Sequence, residues 1–371
     1  MTKVLVVSGS ARPGGAERVM LSLVHGLRDR GYEPSVALLE DGRLAEWLAA
    51  SDVPTTVMNV GRARQVHRAA AAAARLVRLV GRTRPAAVIS NMSKAHVYAG
   101  TAAAARRVPA IWWQHSIPHR TRFDVAAAVV PAAAVVVVSE AAAQAQRKLT
   151  PRRRVVTINP GVPLAAIGAA VGTGARVRRE LGWDDKRIVG LVARLEPWKG
   201  HETFLRAAAL VAQTHPEARF VLVGGALMGR EGDYPQRLET LAAELGLEDR
   251  VHFAGHQPDP WTWMDALDVF VHASHGEPFG TVIAEALALG KAVIAGADAG
   301  PLEVVEDERS GLLVEPRRPE LLAAAIRRLL DDDDLRARLE RGALERAPTF
   351  SDERMAVRFD ELIRDVSRSP R

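Results

Sequence analysis

The stretch Val269-Phe-Val-His-Ala-Ser-His-Gly-Glu-Pro-Phe-Gly-Thr-Val-Ile-Ala-Glu-Ala-Leu-Ala-Leu289 decides how this chain of 371 residues folds. Its first part, Val269–His272, is a short β-branched and aromatic run that predicts a buried strand. Its last part, Thr281–Leu289, has the apolar spacing of a helix. A strand, a glycine-containing loop and a helix in this order form a βα unit, which is typical of a parallel sheet.

The same alternation runs outward through the whole chain and predicts an α/β protein with two Rossmann-like, doubly wound domains. We expect an N-terminal domain at 1–160, a C-terminal domain at 161–350 and a final helix at 351–371 that packs back toward the N-terminal domain. The predicted strands are Val4–Val7, Ser35–Leu39, Thr55–Val60, Ala87–Ser90, Ala110–His115, Val135–Val138, Val155–Ile158, Ile188–Ala193, Arg219–Val223, Val251–Phe253, Val269–His272 and Ala292–Ile294. The predicted helices include Glu17–Arg30, Gln65–Val80, Glu202–Gln213, Gln236–Leu245, Thr281–Leu289, Pro319–Leu330 and Asp352–Val366.

The composition excludes several classes of chemistry. There is no cysteine, so disulfides, thiolate catalysis and cysteine-ligated metals are excluded. The sequence has no apolar run of about 20 residues that would cross a membrane. Because it opens with the strand pattern Lys3–Val7 and not with a signal peptide, we expect a cytoplasmic protein.

The net charge of +6 divides unevenly, with +14 on residues 1–160 and −8 on the remainder. From Val53 to Phe123 there is no acidic residue and there are twelve lysines or arginines. Such a surface attracts anions, including membrane lipid headgroups. The alternative is an arginine-rich composition on solvated faces, and the sequence leaves both interpretations open.

The loop after Val269–His272 carries residues suited to a phosphorylated ligand. Gly280 allows close approach of the backbone, and the N–H groups of Thr281 and Val282 at a helix N-terminus suit a diphosphate. Glu285 can accept hydrogen bonds from a ribose, and Glu277 precedes the helix. Two glutamates at this spacing are, on their own, more often solvated.

A second loop, after the strand that ends at Ala193, supplies Arg194 and Lys199. Two cations there can neutralise a diphosphate leaving group without a metal. No acidic cluster for Mg²⁺ accompanies them, so we expect neither a metal nor another cofactor.

The ordered set of motifs resembles the retaining GT-B glycosyltransferases of the "group 1" family, glycosyltransferase family 4. The motifs are Arg194-Leu-x3-Lys199-Gly, Val223-Gly-Gly, Gly255-His256, Ser274-x2-Glu277-x-Phe279-Gly280, Glu285-Ala286, Gly290-Lys-Ala-Val293, Gly300-x2-Glu303 and Gly311-Leu-Leu-Val314. The resemblance covers nearly all of 188–330. It implies two Rossmann-like domains facing a cleft, in which a nucleotide-diphosphate sugar binds.

The resemblance also implies roles for these positions. Arg194 and Lys199 hold the diphosphate, Glu277 binds hydroxyls of the donor sugar, and Glu285 binds the ribose. The resemblance places His256 near the nucleotide base. It places the backbone N–H groups of Phe279, Gly280, Thr281 and Val282 against the sugar and the phosphate.

The first half contributes further candidates through the same resemblance. The resemblance implies that the loop of Gly14 and Gly15, which opens a helix, closes over the diphosphate and acceptor. It also implies a catalytic role for His115, which ends a strand at the ligand-facing edge, contacts the donor sugar and helps hold the reacting geometry. We expect Glu17 and Arg18 to begin a helix surface. Asn91 and Lys94, after the fourth strand, also face the expected cleft.

The function implied is transfer of a hexosyl group, most often from a UDP-sugar, to an acceptor hydroxyl on a small molecule such as a natural-product or sugar core. The first alternative is a membrane-associated glycolipid or cell-surface glycan transferase with an anionic lipid acceptor. A remote alternative is a non-catalytic nucleotide- or nucleic-acid-binding protein, for which no groove-reading motif is present. The oligomeric state is left open.

Overall fold

The structure is a computed structural model and describes residues 1–12, 14–61, 66–226 and 232–368. The described residues form two compact units. Unit 1 contains Met1–Val162 and the last helix, Asp352–Arg368, and unit 2 contains Pro163–Ser351. Arg62, Arg64 and Gln65, which belong to the predicted basic window or helix, lie outside the described residues.

Each unit is built on one parallel sheet. In unit 1 the described strands are β1 (Thr2–Ser8), β2 (Tyr32–Leu38), β3 (Thr55–Val57), β4 (Ala87–Asn91), β5 (Ala110–Gln114), β6 (Ala134–Val137) and β7 (Val155–Thr157). In unit 2 they are β8 (Arg187–Val192), β9 (Ala218–Val223), β10 (Val251–Gly255), β11 (Val269–His272), β12 (Ala292–Gly296) and β13 (Leu312–Val314). The strand orders are β3-β2-β1-β4-β5-β6-β7 and β10-β9-β8-β11-β12-β13.

Helices connect the strands and cover the sheets. They are α1 (Gly15–Asp29), α2 (Arg43–Ala50), α3 (Val66–Thr83), α4 (Met92–Ala105), α5 (Arg122–Val129), α6 (Glu140–Leu149), α7 (Leu164–Gly168), α8 (Gly174–Leu181), α9 (His201–Ala212), α10 (Tyr234–Glu244), α11 (Pro260–Asp265), α12 (Thr281–Ala288), α13 (Pro301–Val304), α14 (Pro319–Asp331), α15 (Asp333–Arg346) and α16 (Asp352–Arg368). Two 3₁₀ helices lie at Pro197–Lys199 and Ala347–Phe350. Strand β13 is not among the predicted strands, because a run of three residues carries little periodicity.

The core of unit 1 lies on both faces of its sheet. One face packs Val4, Val6 and Trp113 against α1 and α16, and the other packs Leu5 and Val88 against α3 and α4. Phe359 of α16 packs edge-on against Trp113, with ring centroids 4.8 Å apart. The last helix is therefore part of this core.

The connections place a topological switch point in each sheet. In unit 1 the direction of strand addition reverses between β1 and β4, and in unit 2 it reverses between β8 and β11. Ligands of doubly wound sheets bind beyond the carboxyl ends of the strands at this point. The loops after these four strands are therefore the places in which to look for a site.

Among the residues described, no helix has the length and apolar character to cross a membrane.

Candidate active site

At the switch point of unit 2, the loops after β8 and β11 are joined to each other. The N–H of His275 donates to the carbonyl oxygen of Trp198 at 3.0 Å. Gly200 has a φ of +80°, and a Cβ placed on it would lie 2.1 Å from the carbonyl oxygen of Ala273. Only glycine fits both this backbone conformation and this approach. The junction brings side chains from distant parts of the sequence together.

Lys199 lies in this junction and is held on two sides. Its Nζ donates to Oε2 of Glu277 at 2.6 Å. The same Nζ lies 4.0 Å from the ring centroid of Trp198, a cation–π contact. The side chain is only 12% exposed, so its position is well defined by these partners.

Glu277 is an ionised carboxylate in a buried position. Burial acts to raise the pKa of Glu277, but the Lys199 ammonium and a hydrogen bond from His272 outweigh it and hold the pKa well below its ordinary range. Nε2 of His272 lies 3.2 Å from Oε2 of Glu277. His272 is 2% exposed, and within the described residues its Nδ1 has no hydrogen-bond partner.

Arg194 belongs to a second ion pair in the loop after β8. Its Nη2 lies 3.2 Å from Oε2 of Glu196, which also accepts a hydrogen bond from Nε1 of Trp198 at 2.9 Å. The arginine is one-third exposed, so its guanidinium is accessible to an anion. Arg194 and Lys199 thus present two cations within one loop, each beside a carboxylate.

The start of α12 forms the other side of this region. Gly280 precedes the helix with a φ of +95°, and no side chain caps it. Thr281 and Val282 lie in the first turn of α12, so their N–H groups have no intrahelical acceptor. The ring of Phe279 is buried against Phe350, 5.6 Å away, so this residue presents backbone and not side chain to a ligand.

The loop after β12 is hydrogen-bonded to the loop that carries Glu277. The N–H of Gly300 donates to the carbonyl oxygen of Glu277 at 2.9 Å, and the N–H of Gly276 donates to Oδ2 of Asp298 at 2.7 Å. A Cβ on Gly300 would lie 2.3 Å from Cα of Phe279. The backbone that carries Glu277 is therefore fixed before any ligand arrives.

His256 and Glu285 lie at the margins of this arrangement. His256 is exposed, and a Cβ placed on Gly225 would lie 2.9 Å from the Cβ of His256. The N–H of Leu195 donates to the carbonyl oxygen of Gly225 at 3.3 Å, so this histidine is connected to the loop of Arg194. Glu285 is half-buried in α12.

In unit 1, Gly14 caps α1 in an extended conformation and Gly15 is its first residue. A Cβ on Gly14 would lie 2.6 Å from Oε2 of Glu17, whereas one on Gly15 would meet nothing within 4 Å. The expectation that Glu17 begins a helix surface is wrong, because it is only 8% exposed. Its carboxylate turns back toward the helix N-terminus, where the dipole favours negative charge.

The other candidates of unit 1 lie at or just after the carboxyl ends of β4 and β5. His115 packs on Trp113, with centroids 4.2 Å apart, and burial lowers the pKa of its imidazole to about 3. Nζ of Lys94 donates to the carbonyl oxygen of Gly9 at 2.9 Å and lies 3.4 Å from Glu40. Asn91 is fully buried, and neither amide atom has a partner in the described part of the chain.

Two side chains of the unit 2 site, His272 and Glu196, are not among the residues predicted from the sequence. His272 ends a parallel strand at its carboxyl edge, the same signal that identified His115. Glu196 stands two residues after Arg194, and its acceptor role depends on the turn at Pro197. Across the described ranges, no group of three or more His, Asp or Glu side chains is placed to hold a metal ion.

The two doubly wound parallel sheets fit the GT-B fold of glycosyltransferases, and comparison with known proteins supports this class. The family model for glycosyl transferases group 1 matches residues 175–346, and that for glycosyltransferase family 4 matches residues 13–166. The chain belongs to the group 1 glycosyltransferases.

Two curated relatives are D-inositol 3-phosphate glycosyltransferases. The protein from Thermobispora bispora is 37% identical over 218 residues, 57% of this chain and 50% of the relative. The protein from Acidothermus cellulolyticus is 41% identical over 204 residues, 53% of this chain and 45% of the relative. The chain spans about half the length of the curated relatives it matches.

Solved structures resemble the chain over nearly its whole length. Anabaena Alr3699/HepE in complex with UDP has a TM-score of 0.88 at 29% identity and covers 98% of this chain and 100% of its own. The complex of the same protein with UDP-glucose has a TM-score of 0.87 at 28% identity over the same coverage. Sucrose-phosphate synthase from Thermosynechococcus elongatus, at 23% identity and a TM-score of 0.81 over 99% of each chain, shares the fold.

Proposed function

We propose that this chain is a retaining glycosyltransferase that moves a hexosyl group from a UDP-sugar to an acceptor hydroxyl. The observation that carries the proposal is the arrangement of Lys199, Glu277 and Arg194 at the switch point of unit 2. The similar Anabaena protein binds UDP and UDP-glucose, which supports the choice of donor.

In this proposal Lys199 and Arg194 bind the diphosphate and stabilise the negative charge that develops on it as the glycosyl bond breaks. The backbone N–H groups at the start of α12 add a fixed positive potential at a phosphate oxygen. Each cation already has a carboxylate partner, so neither is an uncompensated charge before the donor binds. When the donor binds, its diphosphate joins or replaces the carboxylates as the partner of the two cations.

Glu277 is proposed to bind donor-sugar hydroxyls and not to attack the sugar. Its Oε2 is engaged by Lys199 and by His272, and its lowered pKa marks a weakly basic carboxylate. A double-displacement enzyme needs a free carboxylate nucleophile close to the reacting carbon. The contacts of Glu277 therefore favour a single front-face substitution.

In that step the bond from the anomeric carbon to the diphosphate oxygen breaks, and the bond from the acceptor oxygen to the same carbon forms on the same face. The acceptor proton passes to an oxygen of the departing diphosphate. The protein contributes positioning and electrostatic stabilisation. The relatives named for D-inositol 3-phosphate suggest a polyhydroxylated small molecule as the first acceptor class to test.

The test is product stereochemistry. Several α-linked UDP-sugars, UDP-glucose among them, are each incubated with the protein and a panel of sugars and cyclitols, with and without a phosphate group. The anomeric configuration of the product is read by proton NMR. An α-linked product supports the retaining reaction. A β-linked product contradicts front-face substitution, and no transfer from any UDP-sugar contradicts the proposed donor.

A further inference from the structure

One side of unit 1 carries a layer of helices with an unusual charge. The chain crossings place α3, α4 and α5 on the same face of the sheet, where α3 packs against α4 and α4 against α5. The acid-free sequence Val53–Phe123 includes all of α3 and α4. The one acid of α5, Asp124, is 5% exposed and accepts a hydrogen bond from Ser93 at 2.6 Å. These three helices therefore present no exposed carboxylate.

Arginines on α3 concentrate positive charge on this layer. Arg75, Arg78 and Arg82 recur every three or four residues, so they lie along one exposed side of the helix. With Thr56 and Met58 they line a groove of about 460 Å³. Within the described residues none of these three arginines has a carboxylate at ion-pair distance, although many arginines of unit 2 do. Like charges at this spacing repel, and an anionic partner would relieve that repulsion.

The third helix of the layer adds exposed apolar side chains. Val125 and Val129 of α5 are 50% and 78% exposed, and their spacing of four residues places them side by side. Among the described residues of unit 1, the other large hydrophobic residue so exposed is Met1. Arg120 and Arg122 are exposed beside them.

We propose that the outer face of α3, α4 and α5 binds an anionic membrane surface. Each arginine close to the anionic headgroups adds to the electrostatic attraction between the protein and the membrane. Val125 and Val129 insert at the boundary between headgroups and acyl chains. A soluble polyanion would use the arginines but would gain nothing from the two valines. Their presence on the same layer therefore favours a membrane. This inference does not depend on the donor or the reaction proposed above.

The test measures co-sedimentation of the full chain with phosphatidylglycerol vesicles and with phosphatidylcholine vesicles, at low and high salt. We expect binding to the anionic vesicles at low salt that weakens as salt rises. The variant with Arg75→Gln, Arg78→Gln and Arg82→Gln should bind about 100-fold more weakly, since each charge contributes about fivefold.

A matched control removes the same number of charges from unit 2 through Arg206→Gln, Arg338→Gln and Arg341→Gln, three exposed arginines. This variant should keep its vesicle affinity, because only net charge has changed. The replaced side chains are exposed in both variants, and an unchanged thermal midpoint verifies that each is folded. Equal loss of affinity in the two variants would overturn the proposal.

A second pair of changes separates a membrane from a soluble polyanion. Val125→Ser with Val129→Ser should weaken vesicle binding on the order of tenfold through lost apolar burial, while binding to heparin stays unchanged. Vesicle affinity that is insensitive to the two valines, or wild-type binding to heparin without binding to anionic vesicles, would overturn the assignment to a membrane.

Discussion

Nζ of Lys199 lies 2.6 Å from Oε2 of Glu277, although 78 positions separate the two residues in sequence. The contact depends on two loops that meet at the switch point between β8 and β11. Because both side chains are nearly buried, the ammonium and the carboxylate each depend on the other for compensation. Several consequences of this pairing can be measured.

Replacing Lys199 with alanine should lower turnover on the order of 100-fold or more, because a charge that stabilises the leaving group is lost. The measurement is kcat with a UDP-sugar and an acceptor identified in the stereochemical assay. Lys186→Ala is the control, since Lys186 pairs with its neighbour Asp185 away from these loops. Near-normal kcat in Lys199→Ala would contradict the assignment of this lysine.

The lowered pKa of Glu277 predicts how stability depends on pH. The pKa of Glu277 lies below its ordinary value of 4.5 in the folded protein and near that value in the unfolded chain. The stabilisation that the ionised carboxylate contributes is therefore present above about pH 4.5 and is lost as the pH falls through the folded pKa. Between these two values the wild type should lose about 1.4 kcal/mol per pH unit relative to Glu277→Gln. Denaturant unfolding of both proteins from pH 6 to pH 3 measures the difference. Parallel curves would show that the carboxylate is not held ionised.

Burial of His96 predicts a second pH effect, at higher pH. Burial lowers the pKa of its imidazole to about 4 from 6.5. As pH falls from 6.5 toward 4, the unfolded chain binds a proton that the folded chain does not, so the stability contributed by the neutral imidazole is lost over this range. His96→Gln should therefore reduce proton uptake on unfolding near pH 5 by about one proton. An unchanged slope of unfolding free energy against pH would contradict this.

Gly200 provides a test of the loop junction. Gly200→Ala places a Cβ against the carbonyl oxygen of Ala273 and forces a left-handed conformation on alanine. Gly182→Ala is a matched control, because Gly182 has a φ of +66° with nothing within 4 Å of its Cβ position. The control should lose about 1–2 kcal/mol from backbone strain alone. Gly200→Ala should lose more and should also weaken nucleotide binding, and equal losses in the two variants would argue against the junction.

His272 is expected to position Glu277 for the donor sugar. His272→Leu removes the hydrogen bond at 3.2 Å but leaves Lys199 in place. We expect kcat/KM for the UDP-sugar to fall about tenfold, in the range of a lost hydrogen bond to a charged group, while affinity for UDP alone is unchanged. A parallel loss of UDP affinity would indicate a general disturbance of the site.

Much of this architecture is predictable because strand composition and glycine placement are local properties. Val269–His272 matches its predicted bounds, and α12 ends one residue before its predicted end. The carboxyl-edge position of Arg194 and Glu277 follows from the parallel sheet. The ion pairs do not, because they depend on the separation of side chains across two loops.

The features that were predicted wrongly or not at all also have physical explanations. Glu17 looked like a surface residue because its type usually is, and its burial depends on the chain turning at Gly14. His272 carries the same strand-end signal as His115, but its contact with Glu277 depends on the conformation of the loop that joins them, which is not visible in the sequence. The charge pattern of Val53–Phe123 was visible in sequence, but its combination with Val125 and Val129 on one helical layer was not.

The most direct test of the central claim is a thermal shift with UDP, GDP, ADP and dTDP, carried out on the wild type and on Lys199→Ala. A nucleotide at about 100 times its Kd adds roughly 2.7 kcal/mol to the unfolding free energy. We expect UDP to raise the thermal midpoint of the wild type by several degrees, and we expect Lys199→Ala to lose this effect. A shift that survives in Lys199→Ala, or no shift with any of the four nucleotides, would contradict a nucleotide diphosphate site built on Lys199.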